Sequence, residues 1–415
     1  MISMLPRLQV LDGIPVAAVD REKALPKVTR AFITSPPDPS TNFALTLRDR
    51  ETGGPRGFSQ KAYDRALHST AFRPYRYCPF RTRMPVQVPR QFEYHPTIED
   101  LVIYGTPYNT LVVDKLTRGT SQKPVAWSLT SPSLVPETVL GISWLKKCPE
   151  RCLVGSDSGR IQMFNIGAMG TGRVPSLAGM VATYAPFPRL TCVHGNCTDQ
   201  LFLASGSATH TTLYDMTTRQ VVRSYRDIHD AQINVLRFAN NDPNLFATSS
   251  FDRTVKYWDL RSQDPSRPIF SQTSLRTLIM VCYSPDDRFL LSSGCDNDVV
   301  QWDIARGGSA NLAMKLPLLL KDTNWTRSYY LAGGKRIIVG SCSEDAISVL
   351  CANTGRLIQQ VELHVPGQLD YDHRMYCLSL RGDPLHPSRF SAIVSSSSSM
   401  QSLTMVSFDL CQKME

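Results

Sequence analysis

The sequence predicts an all-β fold, a seven-bladed β-propeller. Three observations carry that expectation. From residue 90 onward, short runs of alternating apolar and polar residues succeed one another, with turn residues between them. Equivalent strand ends recur every 44–58 residues, at Asp114, Asn165, Asp215, Asp259, Asp303, Cys351 and Asp409. A period of roughly forty residues or a little more is that of a four-stranded blade, and one blade cannot bury both of its faces without neighbours.

Taken in order, residues 1–25 contain LPRLQVLDGIPV. Leu5, Leu8, Val10 and Leu11 fall near the spacing of a leucine-rich repeat, and the segment reads as the cap remnant of such an array. A lone repeat forms no stable solenoid, since about three are needed. The segment is then a vestige, the start of a chain cut from a longer protein, or a short amphipathic tail. Residues 26–83 show no sustained period. SPPDPST at 35–41 and ETGGPRG at 51–57 are rich in breakers, so this stretch is expected to be a largely disordered linker. Basic and aromatic residues interleave at its end: Arg73, Arg76, Arg81 and Arg83 with Tyr75, Tyr77 and Phe80. That mixture makes the four arginines candidate nucleic-acid contacts. The alternative is a solvated linker that lays its aromatic rings on the adjoining domain.

The propeller is expected over 84–415. Its repeats run from Gln91 to Trp127, Val139 to Tyr184, Leu190 to Tyr225, His229 to Arg261 and beyond, Leu275 to Leu318, Trp325 to Leu363, and Asp372 to Leu410. The seventh offers only three strands. An extended stretch around Met84–Val88 is the natural donor of the fourth, which would close the ring by pairing the two ends of the chain.

The best-formed repeat reads HDAQINVLRFANNDPNLFATSSFDRTVKYWDLR, residues 229–261. A His about thirty residues ahead of Trp-Asp closely resembles a WD repeat. The resemblance implies one hydrogen-bonded chain through His229, Thr248 or Ser250, Asp252 and Trp258. Imidazole, hydroxyl and indole N–H each need a partner when buried. The fifth repeat keeps Asp296 and Trp302 but lacks the His. These residues are therefore read as structural.

Signals for catalysis are missing. The sequence has no P-loop or dinucleotide glycine pattern, no G-x-S-x-G elbow and no H-E-x-x-H. Cys148–Cys152 and Cys192–Cys197, with His194, lack the second half that a zinc site requires, so no metal and no cofactor is expected. Eleven scattered cysteines suit buried thiols in a reducing compartment, hence nucleus or cytoplasm. No apolar run approaches the roughly 20 residues of a membrane span. A net charge of +9 is compatible with an acidic protein partner or with nucleic acid. Arg381-Gly382-Asp383 reads as a turn after a strand over Met375–Leu380.

One residue exceeds what a blade needs. Arg261 follows Trp258-Asp259-Leu260, and the window Phe246–Arg261 resembles the W-D-x-R (DWD box) subset of WD repeats, matched at Asp252, Lys256, Trp258, Asp259 and Arg261. That subset marks substrate receptors of cullin-4–RING ubiquitin ligases, where the Arg docks on the propeller adaptor. A planar, weakly hydrated guanidinium suits such docking. The alternative is that Arg261 pairs locally, with Asp259 or Asp264. RQFEYHP (90–96), WLKK (144–147), GSDSG, FATSSFD, SPDD and SLRGDP (379–384) are similar, in order, to a group of plant proteins joining leucine-rich repeats to a WD propeller. The resemblance implies a non-catalytic receptor, monomeric within a larger complex, that binds the cullin-4 adaptor and a protein substrate the sequence does not name. A general scaffold in chromatin or RNA assemblies is the other reading.

Overall fold

The computed structural model describes residues 10–11, 14–15, 70–80, 91–106, 110–115, 125–128, 137–168, 179–295, 298–315, 325–342, 344–363, 375–396 and 403–412. Two units separate, Met1–Leu67 and His68–Glu415. In the first, Val10–Leu11 (β1) and Ile14–Pro15 (β2) form a small antiparallel pair. The remainder of the expected leucine-rich remnant lies outside the described residues.

The second unit is seven antiparallel sheets of four strands. Its first strand in sequence, Thr70–Phe80 (β3), belongs to the last blade. Blade 1 holds Phe92–Tyr94, Leu101–Thr106, Thr110–Lys115 and Val125–Ser128 (β4–β7). Blade 2 holds Val139–Trp144, Arg151–Ser156, Ile161–Asn165 and Met180–Tyr184 (β8–β11). Blade 3 comprises Leu190–Gly195, Leu201–Gly206, Thr211–Asp215 and Val221–Tyr225 (β12–β15). Blade 4 comprises Ile233–Phe238, Leu245–Ser250, Thr254–Asp259 and Phe270–Thr273 (β16–β19). Leu278–Tyr283, Phe289–Gly294, Asp298–Asp303 and Ser309–Lys315 (β20–β23) make blade 5. Thr326–Tyr330, Arg336–Ser341, Ala346–Cys351 and Leu357–Glu362 (β24–β27) make blade 6. Blade 7 adds Met375–Gly382, Arg389–Ser396 and Leu403–Gln412 (β28–β30).

The first strand of each blade lies beside the first strands of its two neighbours, and β28 lies beside β4, so the seven first strands close a ring around the axis. Between blades the faces bury apolar side chains. Ile142, Cys152 and Phe164 of blade 2 pack with Ile103 and Leu111 of blade 1. Phe92, Tyr94 and Val112 of blade 1 pack with Ile393 and Met405 of blade 7.

Closure is by a chain-end strand, but a different one from that expected. β3 runs antiparallel to β30 from Thr70↔Gln412 to Phe80↔Leu403. The propeller therefore begins near residue 68 instead of 84, and part of the expected linker is a strand. Pro74 and Pro79 are what made this segment read as linker. Proline lacks the N–H a central ladder needs but is tolerated on an outermost strand. The two prolines differ in strand parity, and the register slips by one residue between Pro74 and Arg76. That bulge sets both prolines opposite β30 residues of the same parity, Phe408 and Thr404.

Two further corrections are matters of register. Leu101 opens its strand opposite Lys115, as Leu245 does opposite Asp259, so Lys115 and not Asp114 is the equivalent strand end in blade 1. β28 continues through Gly382, so Arg381 and Gly382 are strand and not the expected turn, and Arg381 and Asp383 are buried.

Candidate functional site

Blade 4 carries the sequence-defined residues on two opposite rims. His229 precedes β16 and Asp252 lies in the turn before β18, so both sit where β18 begins. Arg261 sits where β18 ends. Six strand residues separate them, about 20 Å of chain.

At the first rim the expected network is complete. The Trp258 indole Nε1–H donates to Thr248 Oγ1 at 3.0 Å. Thr248 Oγ1 lies 2.7 Å from His229 Nε2, and His229 Nδ1 lies 2.7 Å from Asp252 Oδ2. The indole can only donate, so the hydroxyl hydrogen is directed to Nε2. His229 then carries its proton on Nδ1 and donates it to the carboxylate. Thr248 is thus the strand hydroxyl of the network. Ser250 instead donates to the Ala231 and Gln232 carbonyls and accepts from the Asp252 N–H. Burial lowers the pKa of His229, against the pull of Asp252, so the imidazole is held neutral. Burial also opposes ionisation of Asp252, but hydrogen bonds from His229 and Thr254 outweigh it and hold the carboxyl below its ordinary range.

Blade 5 keeps half of this arrangement. Trp302 Nε1–H donates to Ser292 Oγ at 2.8 Å, and Ser292 holds the position of Thr248. Asp296 lies outside the described residues.

At the opposite rim Arg261 is gripped by carboxylates. Its Nε donates to Asp259 Oδ1 at 2.9 Å and Nη2 to Oδ2 at 2.8 Å, a bidentate pair. Asp242, in the turn between β16 and β17, stands 3.6 Å from Nη2. Asp264 does not take part, being used by Ser266 of its own turn. The hydrogen bonds of this pair hold Asp259 below its usual carboxylate range and raise Arg261. The Arg261 side chain stays 59% exposed. The local-pairing alternative is therefore correct for Asp259, and Asp242 is the partner the sequence did not single out; exposure and pairing coexist.

The other W-D-x-R positions serve the blade. Lys256 Nζ donates to the Ile228 carbonyl at 2.7 Å, tying down the approach to His229. Asp252 and Trp258 belong to the buried network. Only Asp259 and Arg261 face the second rim. In blade 5 the arginine arrives one place late. Arg306 ends the 3-10 turn Ile304–Arg306 and reaches Asp303 only at 3.7 Å through Nε, without the bidentate fork.

Arg73 and Arg76 lie on β3 opposite Asp409 and Ser407, so their backbone is ladder and not linker. Arg81 and Arg83 lie outside the described residues. Cys192 Sγ–H donates to the Leu236 carbonyl, and His194 Nδ1 accepts from the Phe238 N–H.

Seven four-stranded blades, closed by a terminal strand, with the His–hydroxyl–Trp network in blade 4, define a WD-repeat propeller protein. Residues 220–259 and 275–303 match the family described as WD domain, G-beta repeat. The chain is similar to Protein DWD HYPERSENSITIVE TO UV-B 1 of Arabidopsis thaliana, 38% identical over 409 residues, 95% of this chain and 51% of that protein. The chain thus spans about half the length of that relative. A shorter stretch is 30% identical over 98 residues to DDB1- and CUL4-associated factor 10 of Xenopus tropicalis, 24% of this chain and 21% of that one. Another is 30% identical over 101 residues to Ribosome biogenesis protein WDR12 homolog of Aedes aegypti, 24% and 23% respectively.

Proposed function

We infer that the chain is a substrate-receptor subunit of a cullin-4–RING ubiquitin ligase, with no catalysis of its own. Arg261 carries the reading. Its guanidinium is exposed yet held in one orientation by Asp259 and Asp242, on the best-formed blade, where the fold itself does not need it. A pre-oriented fork loses little freedom on docking and can add acceptors from a partner. The similarity to a protein whose name carries DWD and to a DDB1- and CUL4-associated factor supports the same reading. The adaptor is then the partner at this rim, and a protein substrate binds elsewhere on the propeller. The nucleus or the cytoplasm is the compartment that goes with it. The leucine-rich resemblance of residues 1–25 belongs to the same reading.

The test is co-purification with the adaptor. Arg261→Ala should weaken adaptor binding roughly a hundredfold or more, as truncating one member of an interfacial charge pair does. The melting temperature should hardly move, since an exposed pair contributes little to stability. Undiminished adaptor binding by a folded Arg261→Ala protein would sink the reading and leave a general interaction scaffold.

A further inference from the structure

The ring of first strands brings together groups that lie far apart in sequence. Glu93 pairs with Ile103, Arg237 with Ala247 and Arg381 with Ser391. Each partner is the third residue of its blade's second strand, so the three occupy one level of the ring in blades 1, 4 and 7. The remaining blades place Ser143, His194, Cys282 and Tyr329 at that level. The side chains meet across the axis. Arg237 Nη2 is 3.7 Å from Glu93 Oε1, and Arg381 Nη2 donates to the same oxygen at 2.8 Å. Blades 1 and 4 stand three apart in a ring of seven, so the first of these contacts crosses the central channel.

The charge there does not balance. Two guanidinium groups share one carboxylate. Arg327, on β24 and paired with Gly340 of β25, lies one level deeper and donates to the Leu378 carbonyl. No carboxylate pairs with Arg327 among the described residues. Lys146, just after β8, stands at the near mouth with Nζ donating to the Gly195 carbonyl at 2.8 Å. Burial brings its ammonium down to about 8 and lowers both Arg381 and Arg327, and for Lys146 and Arg381 the neighbouring Arg237 adds to the effect. His194 cannot add charge, because burial, helped by Lys146, Arg237 and Arg381, lowers its pKa and keeps it neutral. The donors are also aimed. Arg381 stacks on the Tyr329 ring at 4.2 Å, which fixes its fork. Among the described residues the Tyr329 hydroxyl has only the Met280 thioether, a weak acceptor, at 3.3 Å. Meanwhile Glu93 remains 24% exposed, so water reaches this level.

We propose that the central channel is an anion site, built by Arg237, Arg381 and Arg327 with Tyr329 and Lys146, for a compact doubly charged oxyanion of the phosphate class. The excess of at least two positive charges calls for a dianion. Guanidinium forks match tetrahedral oxyanions in a way they do not match chloride. The site opens on the rim of the turns between first and second strands, the rim that carries Arg261. It uses none of the adaptor residues, so the proposal stands apart from the ligase reading.

The test is calorimetric titration and thermal shift of the whole chain with inorganic phosphate, sulfate and O-phosphoserine, each against chloride at equal ionic strength. Phosphate should bind and raise the melting temperature above that in chloride. Comparable binding of O-phosphoserine would assign the site to phosphoryl groups carried on larger molecules, and selective binding of inorganic phosphate would assign it to the free ion. Arg381→Gln and Arg237→Gln should each weaken phosphate at least about tenfold while Arg261→Ala leaves it unchanged. Should either glutamine variant fail to fold, Glu93→Gln still decides. Removing the competing carboxylate should tighten phosphate binding, whereas a purely structural Glu93 predicts no gain. No heat and no stabilisation beyond chloride, or no tightening in Glu93→Gln, overturns the proposal.

Discussion

Two residues of blade 4, Thr248 on β17 and His229 ahead of β16, show how much the blade rests on its buried polar network. Thr248 is at once acceptor for Trp258 and donor to His229. Thr248→Val would keep shape and remove both bonds, leaving an indole N–H and an imidazole nitrogen buried without partners. Each such group costs about 1–3 kcal/mol, so a loss of roughly 2–4 kcal/mol is expected in urea unfolding. A loss below about 1 kcal/mol would mean that water replaces the hydroxyl. The neutral state of His229 sets a pH dependence of definite sign. Its folded pKa lies below the ordinary 6.5. The unfolded chain therefore binds a proton that the folded blade refuses. Stability is full above about 6.5 and is lost as pH falls from there toward the folded value. His95, His194 and His210 shift the same way, so His229→Gln should reduce the slope between neutral pH and pH 5.5 without abolishing it. An unchanged or steeper slope in that variant would contradict the assigned tautomer and charge.

Single elements differ in how plainly the sequence announces them. The third strands were legible because Trp258-Asp259, Tyr214-Asp215 and Trp302-Asp303 punctuate them, with alternation ahead of each pair. Blade 1 was placed one residue out because it has no such pair, only a Val-Val-Asp-Lys run in which Asp114 imitates one. β3 was missed because proline frequency separates linkers from strands well, but separates linkers from outermost strands poorly. Arg261 was legible as a W-D-x-R match, whereas Asp242, seventeen residues after Tyr225 and in another turn, had no local signal. The turn clamps were not legible either. Asp287, at φ +57, accepts from the backbone N–H and side-chain amide of both Asn240 and Asn241 in the neighbouring blade. Asp199, also at φ +57, accepts from the N–H groups of Lys146, Lys147 and Cys148. These bonds join blades 4 and 5, and 2 and 3, across turns that no repeat pattern pairs. Asp287→Ala should cost about 1–2 kcal/mol and speed hydrogen exchange at Asn240 and Asn241 first. Exchange that accelerates evenly around the ring would argue against a local clamp.

At the scale of the molecule, closure is the property that no single blade contains. β3 pairs along the whole of β30, and blade 7 is thereby joined to the chain some three hundred residues upstream. The central channel is another ring-level property: Glu93, Arg237 and Arg381 are unremarkable singly and meet only because seven strands share an axis. A propeller without its closing strand would present the free edge of β30, a template for pairing with another copy. It would also loosen the packing of Phe92 and Tyr94 against Ile393 and Met405 beside that edge. Deleting residues 68–80 should therefore lower the melting temperature by roughly 5–10 °C, the effect of a few kcal/mol in a domain of this size, and promote self-association in gel filtration. A synthetic peptide of residues 68–82 added in trans should restore both, by supplying the strand as a separate chain. If the shortened protein stays monomeric with its melting temperature unchanged, or if a scrambled peptide rescues as well as the native one, β3 is not what holds the ring closed.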